Sequence, residues 1–322
     1  MTMTRESLSQ IIQMQPGTES AARAHFHLGS LQLADGEVET ATDSYRRVPS
    51  SWPRWHARAG FAIARIYETH LDDLDAAARE YRKVISLHPE SMSAAQSYER
   101  LARLHERVGD PLSAENMREC AMRTFERLSE TSRDIEEQDE ARYHFAVAAR
   151  QLQRWDAATE ALLQCRRKAV DDKDTSRRVT LDVELGLVMM ERDQFESAVQ
   201  RFKDCLDHLR RRNDLEGLVK VSALLVRCQE LQEDETSAKR TLRSLVDFVH
   251  KSKDRLLEAQ KNAEVAPELV KAYLALDREA DARAVRTRLR RLKGDEHVQT
   301  LTEVEELLDA AEGSTPAPAA GP

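Results

Sequence analysis

His25 and His27 are two residues apart. Imidazoles at that spacing on a helix point to different faces, so they do not converge on one metal ion. Cys120, Cys165, Cys205 and Cys228 include no C-x-x-C pair, and their spacing does not fit a zinc site. The run Asp134–Glu140, DIEEQDE, gathers carboxylates in the manner of a solvated helix start rather than a metal centre. There is no H-E-x-x-H, no Walker-type phosphate loop, no G-x-G-x-x-G and no G-x-S-x-G elbow. The expectation is a protein that is not an enzyme, with no catalytic residue, no metal and no cofactor. Guanidinium groups have more to offer. Arg283, Arg286, Arg288, Arg290, Arg291 and Lys293 crowd one stretch, and Arg210, Arg211 and Arg212 another. Cations at a helix C-terminus offset the macrodipole and cover apolar surface with their stems. The net charge is −8 and no aromatics are interleaved with the cations, so nucleic acid is not the expected partner.

The elements that must position such side chains are helices. Gly is 10 and Pro 9 of the 322 residues, and aromatics are 5 %. That composition, rich in Ala, Leu, Glu and Arg, favours helix and excludes collagen, a turn-rich β-sandwich and a disulfide scaffold. The N-terminal MTMTRESLSQIIQMQPG has no basic stretch followed by a long apolar one, so no secretory leader is expected. The longest apolar runs, 59–64 and 185–190, fall far short of the ~18 residues a membrane span needs. A cytoplasmic protein with reduced thiols is the expectation.

Two segments share one order of small, large and aromatic residues. The first places Leu28-Gly29, Leu31, Leu33, Ala41, Tyr45 and Pro53; the second places Leu185-Gly186, Val188, Met190, Ala198, Phe202 and Cys205. Twelve residues separate Gly from Ala in both, and four separate Ala from the aromatic. Two helices pack closely only where small side chains meet at their crossing, and a single helix hairpin cannot bury its apolar stripe without a neighbour. The pattern resembles the tetratricopeptide repeat, a helix–turn–helix unit of 34 residues. On that frame, units begin near Ala22, Ala57, Ala95, Asp139, Val179, Val219 and Ala263, at spacings from 35 to 44 residues. Lengthened helices or loops in the later units follow, as does a one-residue insertion in the turn of the second unit.

The resemblance implies an all-α fold, a right-handed α-solenoid of about seven such hairpins with a concave groove. A lead segment is expected over 1–20, with a short helix over 6–15, and the repeat array over 21–296. An amphipathic capping helix is expected over 297–312, carrying Val298, Leu301, Val304, Leu307 and Leu308, and a disordered tail over 313–322.

In this family, positions 2, 5, 9, 12 and 13 of each unit commonly face the ligand. Position 5 gives Phe26, Phe61, Glu99, Tyr143, Val183 and Ala223; position 9 gives Ser30, Arg65, Arg103, Val147, Leu187 and Arg227; position 12 gives Leu33, Glu68, Glu106, Arg150, Met190 and Glu230. The resemblance thereby implies a partner groove carried by Phe26, Phe61, Arg65, Arg103, Tyr143, Arg150, Leu187, Met190 and Arg227. The Lys and Asn set with which the family grips a chaperone's C-terminal carboxylate is absent. The partner expected is a segment of another protein, or a peptide, with apolar and acidic side chains. Arg65–Glu68 and Arg227–Glu230 also read as i,i+3 pairs that solvate the groove wall. The function expected is that of an adaptor or scaffold, with a peptide-responsive regulator as the alternative.

Overall fold

The computed structural model describes residues 4–262, 265–292 and 298–313, and every regular element among them is an α-helix. A lead helix, α1 (Arg5–Met14), is followed by helices in pairs. The pairs are α2 (Glu19–Ala34) and α3 (Val38–Arg46), α4 (Pro53–Thr69) and α5 (Leu74–Leu87), and α6 (Met92–Arg107) and α7 (Pro111–Thr131). Next come α8 (Ile135–Gln151) and α9 (Trp155–Asp171), α10 (Thr175–Glu191) and α11 (Phe195–Arg212), and α12 (Leu215–Leu231) and α13 (Glu235–His250). A short α14 (Lys253–Lys261) precedes the last pair, α15 (Ala266–Leu274) and α16 (Glu279–Leu289), and α17 (Val298–Gly313) follows it.

The turns inside the pairs are built alike. Each holds one residue in the left-handed region: Gly36, Asp72, Gly109, Gln153, Asp193, Glu233 and Asp277. The next residue donates its backbone N–H to the carbonyl five positions back, as in Asp110 to His105 at 2.9 Å, Gln194 to Met189 at 2.9 Å and Asp234 to Gln229 at 2.9 Å. That is the Schellman closure, which satisfies carbonyls left open at a helix end. Caps then restart the chain: Asp73, Asp110 and Asp234 accept from the backbone N–H of Ala76, Ser113 and Ser237. Each such cap stabilises its helix by about 1 kcal/mol. The turn between α4 and α5 carries the expected extra residue, and there Asp73 reaches back to the Tyr67 carbonyl at 2.9 Å.

The small residues expected at the crossings sit there. A Cβ on Gly29 would lie 2.9 Å from the Tyr45 ring, and one on Gly186 would lie 2.5 Å from Phe202 Cε1. Ala41, Ala158 and Ala198 are fully buried.

The chain divides into two compact units, one ending at Cys165 and one starting at Arg166, within α9. In the first, the core lies between successive hairpins: Ala41, Tyr45 and Ile66, then Ala77, Tyr81 and Leu101, then Ala121, Phe125 and Ala141. Each hairpin thus buries its stripe against a neighbour, as a stacked array requires. Leu8 of α1 is buried, and Arg5 holds Asp35 at 2.5 Å and Glu37 at 3.0 Å.

In the second unit one cluster runs from Val179 to Leu308, and Val304 and Leu308 of α17 are buried in it. Leu301 and Leu307 pack against that cluster, but Val298 is exposed. Lengthening accounts for the third interval, where α7 has 21 residues. The final interval is long for another reason: it contains α14, an added helix. Gly313, expected in the tail, ends α17. Ala263, Lys293 and residues 314–322 lie outside the described residues.

Candidate functional site

In the first unit, Phe26 of α2, Phe61 and Arg65 of α4 and buried Tyr45 of α3 line one cleft of ≈ 630 Å³. Three rings define its apolar wall: Phe26 packs 5.5 Å from Tyr45 and 5.7 Å from Trp55, and Phe61 lies 5.6 Å from Tyr81. The same cleft is lined by Arg58, Gln96 and Glu140. Arg58 lies 5.2 Å from the centre of the Trp55 ring. Among the described residues, neither Arg58 nor Arg65 has a carboxylate within ion-pair distance. Partly buried rings beside unneutralised guanidinium groups suit an acidic, apolar ligand.

The carboxylate expected beside Arg65 is engaged elsewhere. Glu68 accepts from Tyr81 Oη at 2.5 Å and lies 3.6 Å from Arg100 Nη1. Burial, and then the neighbouring Glu68 carboxylate, raise the Tyr81 hydroxyl well above its ordinary value, so it stays a donor. Nor does Arg227 pair with Glu230 among the described residues.

Arg103 and Tyr143 fall outside the lining of this cleft. Arg103 on α6 is exposed and has no ion pair among the described residues. Tyr143 on α8 is half-buried, its ring 5.5 Å from that of His144. Arg150, also half-buried, stands in the last turn of α8. Between these positions Glu99 forms a titratable neighbour. Its Oε2 is 3.8 Å from His144 Nδ1, and His144 Nε2 is 3.9 Å from Glu140. Burial pushes the Glu99 carboxyl up to about 7, with Arg103, Arg100 and Arg118 pulling it back.

In the second unit, Leu187 packs half-buried against the core. Met190 is 6 % exposed and belongs to that core, so it offers no surface to a partner. The apolar packing of the second unit claims it, whereas its counterpart Leu33 in the first unit lines the cleft. Arg227 is exposed and lines a separate ≈ 450 Å³ cleft with Ala223, Glu230, Leu242, Glu268 and Lys271.

A family model described as the tetratricopeptide repeat matches residues 58–91, which cover α4, its turn and α5. This hairpin is a tetratricopeptide repeat. No curated protein matches the chain in sequence. Solved structures share the repeat fold. A signal-transduction ATPase with a tetratricopeptide repeat sensor from Pyrococcus horikoshii aligns over 96 % of this chain at 12 % identity, TM-score 0.59. The chain spans only 44 % of that protein. A tetratricopeptide repeat protein from Parabacteroides merdae aligns over 91 % of this chain and 99 % of its own, at 14 % identity and TM-score 0.52. Yeast Tom70 aligns over 96 % of this chain and 58 % of its own, at 13 % identity and TM-score 0.50.

The repeat frame also supplies three cleft residues beyond those at positions 5, 9 and 12. Position 2 of units two, three and four is Arg58, Gln96 and Glu140, and all three line the cleft. Tyr45 lies outside any first-helix rule, because it comes from the second helix. Its hydroxyl lies 3.1 Å from Ser30 Oγ. No helix among the described residues is long and apolar enough to cross a membrane.

Proposed function

We propose that this protein is an interaction adaptor that holds a segment of another protein in the cleft of its first unit. The observation that carries the reading is the pairing of Phe26, Tyr45 and Phe61 with Arg58 and Arg65, two guanidiniums without a carboxylate partner among the described residues. The segment is extended or helical, with an apolar anchor against the rings and carboxylates against the arginines. Arg103, Tyr143 and Arg150 lie on the first helices of the next two hairpins and lengthen the contact. Leu187 and Arg227 would serve a second stretch of partner. Such a role needs no catalytic residue and no cofactor.

Affinity capture from the native cell, wild type beside Phe61→Ala/Arg65→Glu, tests the reading. Partners retained by the wild type and lost by the variant, at equal helicity, support it. Identical protein lists overturn the cleft as the site. A peptide-responsive regulator is the second reading, favoured by the sensor role in the name of the P. horikoshii protein. Small-angle scattering separates the two, because a regulator changes its radius on adding peptide and an adaptor does not.

A further inference from the structure

The unit starting at Arg166 holds a polar recess of ≈ 300 Å³ that the ligand-facing repeat positions do not include. Arg166 of α9, Arg178 and Asp182 of α10, and Arg201, His208 and Arg211 of α11 line it. On α11, Arg201, His208 and Arg211 recur at i, i+7 and i+10 and share a face. On α10, Arg178 and Asp182 stand one turn apart, centred about 140° around the helix from Val183 and Leu187.

The charges in this recess do not balance. Asp182 Oδ1 accepts from Arg166 Nε at 2.6 Å and from Arg201 Nη1 at 2.7 Å, so one carboxylate serves two guanidiniums. Arg178 has an uncharged partner: its Nη2 donates to His208 Nε2 at 2.7 Å, because a guanidinium cannot accept. Arg211 has no ion pair among the described residues. The Nε of Arg201 is buried with no hydrogen-bond partner. The other two carboxylates of the wall have partners of their own: Asp207 pairs with Arg210 at 3.4 Å and Asp204 accepts from Gln200 at 2.9 Å. Among the residues that line the recess, Arg166, Arg178, Arg201 and Arg211 stand against Asp182, Asp204 and Asp207, an excess of one positive charge, which becomes two because Arg210, outside the lining, takes up Asp207.

The geometry points to an oxyanion site here, shaped for the dianion of a phosphate monoester. Two negative charges cancel the excess. The phosphoryl oxygens give the buried Arg201 Nε its acceptor and take the forks of Arg178 and Arg211. Planar guanidiniums read such a group through paired hydrogen bonds, which a single carboxylate cannot supply to all three. The site lies in a different unit from the peptide cleft and shares no residue with it.

The test uses the full chain and inorganic phosphate, with sodium chloride holding ionic strength constant. The expected result is saturable binding by calorimetry and a shift of the Arg201 Nε–H resonance on titration. Arg178→Gln combined with Arg211→Gln lowers the affinity about tenfold or more, and Arg79→Gln, at an exposed arginine outside both sites, leaves it unchanged. Both changes are on side chains with solvent access, and circular dichroism checks the fold. No saturable binding, no Arg201 shift, or binding undiminished by the double change overturns the site. A second arm uses phosphoserine amide. Tighter binding than inorganic phosphate assigns the site to a phosphorylated protein side chain, and equal binding to free phosphorylated compounds.

Discussion

Gly186 faces the Phe202 ring with no room for a side chain: a Cβ there would meet Cε1 at 2.5 Å. Gly186→Leu therefore overpacks the α10–α11 crossing and costs about 1–3 kcal/mol or more, read by urea denaturation. A wild-type melting curve would contradict the placement. Glu99 gives a pH signature. Its folded value of about 7 lies above its ordinary value, so the native state holds a proton that the unfolded chain releases. Stability falls as pH rises from the ordinary carboxylate range through about 7, and Glu99→Gln flattens that slope. An unaltered pH profile of the variant would remove Glu99 as its source. The glycines were legible in the sequence because the spacings of twelve and four fix a crossing. Met190 and Glu68 were not, because helical phase gives a face but not its competitors. The core of the second unit claims Met190, and Tyr81 and Arg100 claim Glu68.

The hairpin turn is the element that recurs most faithfully, and its left-handed position is filled by Gly only at Gly36 and Gly109. An L-residue there is strained by about 1–2 kcal/mol. Glu233→Gly is expected to stabilise the chain by about 0.5–1 kcal/mol, the larger part of that strain being offset by the freedom glycine has when unfolded. Gly36→Val is expected to destabilise by about 1–2 kcal/mol. Thermal melts of the two variants moving the same way would contradict the turn assignment. Gly36, Gly109-Asp110, Asp193 and Asp277 announce their turns in the sequence, since each type favours a left-handed or capping backbone. Gln153 and Glu233 do not, and their turns follow from the repeat alone. α14 escaped notice because only Ala259 and Gln260 of its nine residues are buried, too few to print an amphipathic pattern.

Over the whole molecule the net charge is −8, yet Arg58, Arg65 and Arg103 stand without ion pairs among the described residues of the first unit. A ligand held by those guanidiniums weakens as salt rises, because exposed charges are screened over about 8–10 Å at physiological salt. Peptide affinity that ignores ionic strength would assign the binding to the rings alone. The repeat order and the pairing of helices within each unit could be read before any coordinates, the added α14 apart. Which cations remain unneutralised could not, because ion pairs between hairpins depend on side-chain reach across the stack.

The most direct measurement is selection of a random peptide library on the immobilised full chain, with Arg58→Glu/Arg65→Glu selected in parallel. The account predicts that wild type enriches peptides in which Asp or Glu flank an aromatic or aliphatic residue. It also predicts that the charge-reversed protein loses those sequences and turns toward Lys and Arg. Enrichment without acidic residues, or the same sequences from both proteins, would contradict it.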